Sequence, residues 1–243
     1  YERLGFTLTP PAQHPFGTGN RPAQFKSGFL ELLAVTRPQL ITEVAESDFS
    51  FSAYNQKFLE GREGISMVAL QSSDWRVDRR DFQAVGLDLM NPFNFSRTAT
   101  LPNGTEVEVG FDLTYIPRIQ APEAMFFTCC HRHNPEHFYK PDFQSHTNGA
   151  MAIRFVRIET DDVTRTKTFL STLGLEEGLF RVNGGDGANL EQVAGFAVTV
   201  EDLDFVSAHL KQQDINFKEG LNSLVISPDI TFGVEITFCE EKD

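Results

Sequence analysis

Glu31 is a carboxylate set in an apolar run, Phe29-Leu30-Glu31-Leu32-Leu33. An unpaired buried charge is costly, so a glutamate there faces water on an alternating strand, pairs with a cation such as Arg21, or lines a site that uses it. Histidine is the other concentrated chemistry, because four of the six, His131, His133, His137 and His146, fall in one segment. A neutral imidazole near neutral pH can move a proton or contact a substrate. The spacing of these four is not that of a zinc motif, and His133 and His137 read as solvated loop residues. His146 stands before Asn148-Gly149 and is better placed as a base or substrate contact. His14 and Asn20 flank Gly17 and Gly19, which let the backbone turn closely. Cys129 and Cys130 carry no signal of a depressed thiol pKa and read as buried small residues, not nucleophiles. Gly184-Gly185-Asp186-Gly187 reads as a hairpin turn, since no helix follows it as a phosphate-cradling loop requires.

These residues need elements to hold them. One phrase recurs four times: an amphipathic stretch that ends on a turn-forming residue and re-enters a strand. Its copies end at Leu4-Gly5-Phe6, Val85-Gly86-Leu87, Leu173-Gly174-Leu175 and Gln213-Asp214-Ile215. A residue just past a helix in the left-handed conformation caps the last carbonyls, and the apolar residue after it starts a buried strand. Repetition on this scale implies supersecondary units that bury their apolar faces against one another. Because the first copy begins at Tyr1, a strand and most of a helix are expected upstream of it. In the second unit a strand is expected over 65–71, then a helix capped by Asp74, then strands near 93–99, 106–115 and 125–130, with Asn103-Gly104 as a tight turn. The third unit has a strand over 153–158 and a helix capped by Asp161 or Asp162. The fourth has a strand over 196–200, a helix capped by Asp204 and a last strand over 232–238. A linking helix over 48–61 joins the first two units, and 131–149 is a loop between the halves.

The 243 residues suffice for one large or two modest domains. Phenylalanine is in excess, 23 against 4 tyrosines and 1 tryptophan, enough to build cores and line an apolar cleft as well. A net charge of −13 opposes binding to nucleic acid or an anionic membrane. No apolar run approaches the roughly 20 residues of a membrane span. The cysteines, Cys129, Cys130 and Cys239, form neither a disulfide framework nor a zinc pair, so the reducing cytoplasm is the expected location.

Strand-helix-strand-strand-strand units in tandem resemble the vicinal oxygen chelate superfamily, which includes glyoxalase I, extradiol dioxygenases and bleomycin-resistance proteins. The phrases His14-Pro15-Phe16-Gly17-Thr18-Gly19-Asn20, Phe29-Leu30-Glu31-Leu32, Phe127-Thr128-Cys129-Cys130-His131 and His146-Thr147-Asn148-Gly149-Ala150 are similar to its glyoxalase-like domain branch. The resemblance implies an α+β fold of four βαβββ modules, the first truncated at its N-terminus, pairing into curved mixed sheets around a cleft. Residues 1–147 would be the first pair and hold the active or ligand cleft; residues 148–243 would be a second, degenerate pair. It further implies a divalent metal, Fe, Mn, Zn or Ni, held by residues of first and last strands. Glu31 and His131 fall at such positions and are the implied metal ligands and catalytic residues, with a third ligand in the upstream strand. Met67, a poor ligand, stands at the second unit's first-strand position, and with Phe127 it becomes a substrate contact. His14, Asn20, His146 and Asn148 would orient substrate. In the second pair Phe155 and Gly195 replace first-strand histidines, and only Glu235 keeps the pattern.

Three functional readings follow. The first is a metal-dependent lyase, isomerase or dioxygenase acting on a small organic substrate, and the second is a metal-free protein that binds or sequesters a small molecule. The third is a structural or interaction protein. A homodimer is a further expectation from the resemblance.

Overall fold

The computed structural model describes every residue except 43, 46, 102–103, 118–123, 176–177, 186–190 and 241–243. In the first unit a 3-10 turn over Glu2–Leu4 closes on Gly5, and an antiparallel sheet follows: β1 (Ala12–Gln13), β2 (Thr18–Phe25) and β3 (Gly28–Val35). Helix α1 (Phe51–Gly61), capped by the Ser50 hydroxyl, links it to the second unit. That unit is a complete βαβββ module: β4 (Met67–Ser72), α2 (Trp75–Ala84), β5 (Phe93–Thr100), β6 (Glu106–Ile116) and β7 (Met125–His131). Its strand order is β4-β7-β6-β5, because the helical crossover returns the chain so that β7 lies parallel to β4. A one-turn helix, α3 (Pro135–Phe138), interrupts the connector between the halves.

The second half shares one six-stranded sheet of order β11-β12-β13-β10-β8-β9. The third unit is only β8 (Ala150–Thr160), α4 (Val163–Thr172) and β9 (Phe180–Gly184) among the described residues. The fourth, β10 (Glu191–Val200), α5 (Leu203–Gln212), β11 (Lys218–Gly220), β12 (Ser223–Ile226) and β13 (Glu235–Glu240), repeats the second unit's topology. The architecture is mixed α+β, built on the βαβββ plan.

The fourfold phrase has one geometry. Gly5, Gly86, Gly174 and Asp214 take φ values of 90°, 80°, 71° and 54°. In every copy the next residue's amide donates five residues back: Phe6 to Tyr1, Leu87 to Phe82, Leu175 to Leu170 and Ile215 to Leu210, at 2.9–3.3 Å. This paired closure satisfies carbonyls that a helix end leaves bare.

Three expectations change. Helix α5 is capped by Asp202, whose carboxylate accepts from the Asp204 and Phe205 amides; Asp204 instead lies in the first turn, against the positive end of the helix. Strands β9 and β10 flank β8 on opposite sides, so the glycine-rich connection between them is not a hairpin; its residues 186–190 lie outside those described. The last strand begins at Glu235, because Phe232 and Gly233 take left-handed φ values of 59° and 74°. The turn between β5 and β6 is present as expected, with the Leu101 amide donating to Thr105 at 2.8 Å, although Asn103 itself lies outside the described residues.

Three cores knit the units together. Leu4, Phe6, Ala23 and Phe25 of the first unit are buried with Val198, Val206, Leu210, Ile236 and Phe238 of the fourth. Phe126 on the outer face of β7 packs with Ile158, Leu170 and Phe180 of the third. The remaining core lies between the first and second units, where Phe16 and Leu33 meet Phe51, Val109, Phe111 and Tyr115.

In the second half the position of a first-strand histidine is closed by backbone. A Cβ on Gly195 would lie 2.4 Å from the Glu235 carbonyl oxygen of the adjacent strand. Gly195→Ala is therefore expected to cost about 2 kcal/mol, as overpacking does, measured by urea unfolding. An unchanged midpoint would show that β10 and β13 separate more easily than their pairing implies. Glu235 itself is 3.3 Å from Arg157, which also pairs with Glu159, so it is held in a surface ion-pair group.

Candidate active site

Strand β3 runs between two cores, and its alternation decides where Glu31 points. Leu30 packs toward the fourth unit's core, while Leu33, on the opposite face, packs toward the second unit. Glu31 shares the face of Leu33 and Phe29 and so enters the cleft against β5–β7. Opposite it in the hairpin, β2 turns Thr18, Asn20 and Gln24 to the same side and Ala23 and Phe25 to the other. His14 is brought in by the tight turn before β2, where its amide donates to the Thr18 carbonyl at 2.8 Å. Gly17 permits that turn: its φ is 105°, and a Cβ there would lie 2.6 Å from the Arg37 carbonyl oxygen.

His14, Asn20 and Glu31 form one cluster. The Asn20 side-chain amide donates to Glu31 Oε1 at 2.5 Å, and His14 Nε2 lies 3.4 Å from the same Asn20 nitrogen and 3.8 Å from Glu31 Oε1. His14 Nδ1 meets the Thr18 hydroxyl at 2.8 Å. An Nδ1 proton donated to that hydroxyl leaves the Nε2 lone pair facing the amide N–H. Burial, helped by the positive charge of Arg97, pushes the His14 pKa down to about 4. The imidazole is therefore neutral, and its approach to Glu31 is not an ion pair. Burial acts oppositely on Glu31, holding its carboxyl above the usual carboxylate range; the Asn20 hydrogen bond and Arg97 offset part of this. Water still reaches 28% of the Glu31 side chain.

The walls are aromatic. His14 stacks on Phe16 with centroids 5.1 Å apart and meets the edges of Phe51 and Phe95 at 5.7 and 5.5 Å. Two buried polar atoms in these walls lack a hydrogen-bond partner, Asn20 Oδ1 and the Tyr115 hydroxyl. Among the described residues other such atoms lie elsewhere, Ser72 Oγ and Thr114 Oγ1 among them, but these two are the ones a polar molecule in the cleft would satisfy. Arg97 lies on the inner face of β5 with Phe93 and Phe95, and its charge acts on both His14 and Glu31.

The other expected site residues are placed differently. His131 Cα pairs with Phe111, and its ring stacks on His133 at 4.9 Å. Ring contacts run from His14 through Phe95 and Phe111 to His131 at 5.5, 5.1 and 5.0 Å, so two phenyl rings stand between the imidazoles. Burial and the neighbouring His133 push the His131 pKa down to about 4. Met67 and Phe127 lie in the core between the first two units, Phe127 against Tyr115 at 5.3 Å and the Met67 sulfur 3.8 Å from the Asn55 amide nitrogen. His146 and Asn148 lie away from the cluster as braces. His146 Nδ1 accepts from the Thr7 amide at 3.0 Å, its Nε2 meets the Gln24 carbonyl at 2.9 Å, and Phe6 and Phe25 flank the ring. Asn148, wholly buried, bonds the Leu4 carbonyl and the Ala150 amide.

Arg97 and Tyr115 are the cleft residues that sequence reading missed. Their signal was polar residues continuing apolar alternations: Arg97 after Phe93 and Phe95, Tyr115 after Phe111 and Leu113.

Among the described residues, no three His, Cys, Asp or Glu side chains are grouped to hold a metal. The donors that do converge are one neutral imidazole nitrogen, one carboxylate and the amide of Asn20, whose oxygen is unpartnered. A rotated amide would present that oxygen where its nitrogen now lies, and an imidazole, carboxylate and amide oxygen suit a borderline-hard divalent cation with open positions.

Tandem βαβββ units folded around such a cleft define the vicinal oxygen chelate fold. The glyoxalase-like domain model matches residues 1–174, and the chain belongs to that family. A hypothetical protein from Staphylococcus aureus is similar in structure, with a TM-score of 0.69 and 12% identity over 97% of this chain and 91% of that one. BphC, a halotolerant catechol dioxygenase, is similar with a TM-score of 0.55 and 10% identity over 99% of this chain and 80% of its own. Homoprotocatechuate 2,3-dioxygenase from Arthrobacter globiformis has a TM-score of 0.50 and 14% identity, over 97% and 72%. No curated protein matches the chain. No helix among the described residues is long and apolar enough to cross a membrane.

Proposed function

We propose that the chain is a glyoxalase-like enzyme, a lyase, isomerase or dioxygenase, acting on a small organic molecule in the cleft between β3 and the second unit's sheet. One observation carries this reading: a neutral His14 imidazole 3.8 Å from a Glu31 carboxyl whose proton affinity burial has raised. Two titratable groups pushed in opposite directions at one point are what acid–base work requires. Glu31 takes a proton from a carbon or hydroxyl of the substrate and returns it. Asn20 fixes the carboxylate by holding Oε1, and Thr18 fixes the ring of His14. The Tyr115 hydroxyl would donate to a substrate oxygen, Asn20 Oδ1 would accept from a substrate hydroxyl, and the phenylalanine walls would exclude water. A divalent metal would be held by His14 and Glu31 with the Asn20 amide oxygen, in place of the expected Glu31 and His131, and would supply Lewis-acid polarisation of neighbouring substrate oxygens. Residues 1–147 form the working pair in this reading and 148–243 its support. The three unpaired thiols support a cytoplasmic location, and the family resemblance a homodimer.

Metal analysis of protein purified without chelator tests the metal component. About one divalent ion per chain is expected, falling at least tenfold in His14→Ala and in Glu31→Ala. Met67, a poor ligand packed in the same core, favours a second reading: a metal-free protein that binds a small molecule among the phenylalanines. Absence of metal, with ligand-induced stabilisation that chelator leaves unchanged, would establish that reading and overturn the first.

A further inference from the structure

Arg97 is a cation in an aromatic cleft with no hydrogen-bond or ion-pair partner among the described residues. It continues the inward face of Phe93 and Phe95 on β5, and both of those side chains pack into the core between the first two units. Its charge acts across the cleft on Glu31, His14 and His133, yet no hydrogen bond or ion pair engages its guanidinium among the described residues. Arg132, on the opposite face of the sheet with Gly110 and Asp112, is held differently: it lies 3.5 Å from Asp112 and donates to the Phe95 carbonyl at 3.1 Å. Glu31 is likewise committed elsewhere, to the Asn20 amide, and does not close on Arg97.

A partly desolvated guanidinium whose nearest counter-charge acts only at a distance, with no direct bond to it, is costly, and it offers five donors in a fork that matches a carboxylate. The cleft therefore presents the cation of Arg97, the rings of Phe16, Phe95 and Phe111, and Glu31 with Asn20 and its spare oxygen.

We propose that Arg97 binds the carboxylate of a small aromatic or apolar acid, whose neutral hydroxyl group lies at Asn20 and Glu31. This deepens the functional reading above and rests on it. It assigns Arg97 to substrate selection: acids enter, and their neutral analogues are discriminated against.

The test uses phenyllactate and its neutral amide as probes, with binding measured by calorimetry on the wild-type chain, Arg97→Met and Arg97→Lys. The wild type is expected to favour the acid by about tenfold to a hundredfold, the range for a charge-assisted bond. Arg97→Met should lose that preference while binding the amide as before, and Arg97→Lys should keep part of it. Acid preference retained by Arg97→Met would overturn the assignment of Arg97 and leave the cleft reading standing. Failure of the wild type to bind either probe would overturn the proposed substrate class. Metal content and Glu31 dependence report separately on the functional reading, so the two failures are distinguishable. Thermal unfolding controls for folding, and should Arg97→Met not fold, the comparison of wild type with Arg97→Lys decides: an undiminished acid preference in a folded Arg97→Lys with unaltered salt dependence would count against the fork geometry and overturn the proposal.

Discussion

Glu31→Gln is expected to remove turnover by about 10³-fold and, at the same time, to make the protein more stable. The two effects have one cause. The folded carboxyl has its pKa raised above the unfolded value of 4.5, chiefly by burial, so its contribution to stability is present below that value and is lost as pH rises through the folded pKa. At neutral pH the charged side chain is a net cost. Glutamine keeps the acceptor for Asn20 and discards the charge, so the variant should unfold at a higher temperature. Turnover is measured on whichever member of a panel of catechols and 2-hydroxy acids the wild type converts, and stability by thermal unfolding at pH 7.5. A variant that stays active within tenfold would remove Glu31 from the chemistry. A variant that is less stable would mean that its carboxylate is better solvated than its surroundings indicate.

The second large effect is acid lability well above the usual carboxylate range. His14 is held at about 4, against 6.5 when unfolded. Its folded pKa is depressed, so the unfolded chain binds the extra proton, and the stability it contributes is complete above pH 6.5 and declines as pH falls toward 4. For His14, which is only 7% exposed, the loss is about 3 kcal/mol at 1.36 kcal/mol per unit. His131 shifts in the same direction, with a smaller consequence because solvent screens it more. Glu31 runs the other way and offsets part of the loss, so Glu31→Gln should show the steeper decline. Urea midpoints from pH 7.5 to 4.5 test this: the midpoint should fall in the wild type, and His14→Gln should flatten the fall. A wild-type midpoint constant across that window would mean that the imidazole is charged in the folded state.

The fold was legible where a local rule forces the backbone. A left-handed residue followed by an apolar one can close only a few structures, and all four copies of that phrase close the same one. The caps at Asp74 and Asp162 were legible for the same reason, since each carboxylate meets amides two or three residues away. What lay beyond reach was set by partners distant in sequence. Glu31's direction was ambiguous because Leu30 and Leu33 are both apolar, and only a strand sandwiched between two cores has apolar residues on both faces. His146 has the composition of a site residue, but its partners Thr7 and Gln24 are 139 and 122 positions away, and they fix both ring nitrogens. His131 shares a cleft with Glu31 in the sequence reading; the register of β6 and β7 puts phenyl rings between them. His14, expected to orient substrate, is instead the imidazole nearest the carboxylate.

If Glu31 works as proposed, the shared core of the first and fourth units gives the second half a mechanical part in its placement. Strand β2 carries Asn20 on one face and Ala23 and Phe25 on the other, and those two are clamped with Val198, Leu210 and Phe238. The hairpin bearing Glu31 is thus seated on an anvil contributed by residues more than a hundred positions downstream. Under the proposed function, the second half is indispensable even with Phe155 and Gly195 at its first-strand positions, because the stiffness of its core sets how firmly that hairpin faces the cleft.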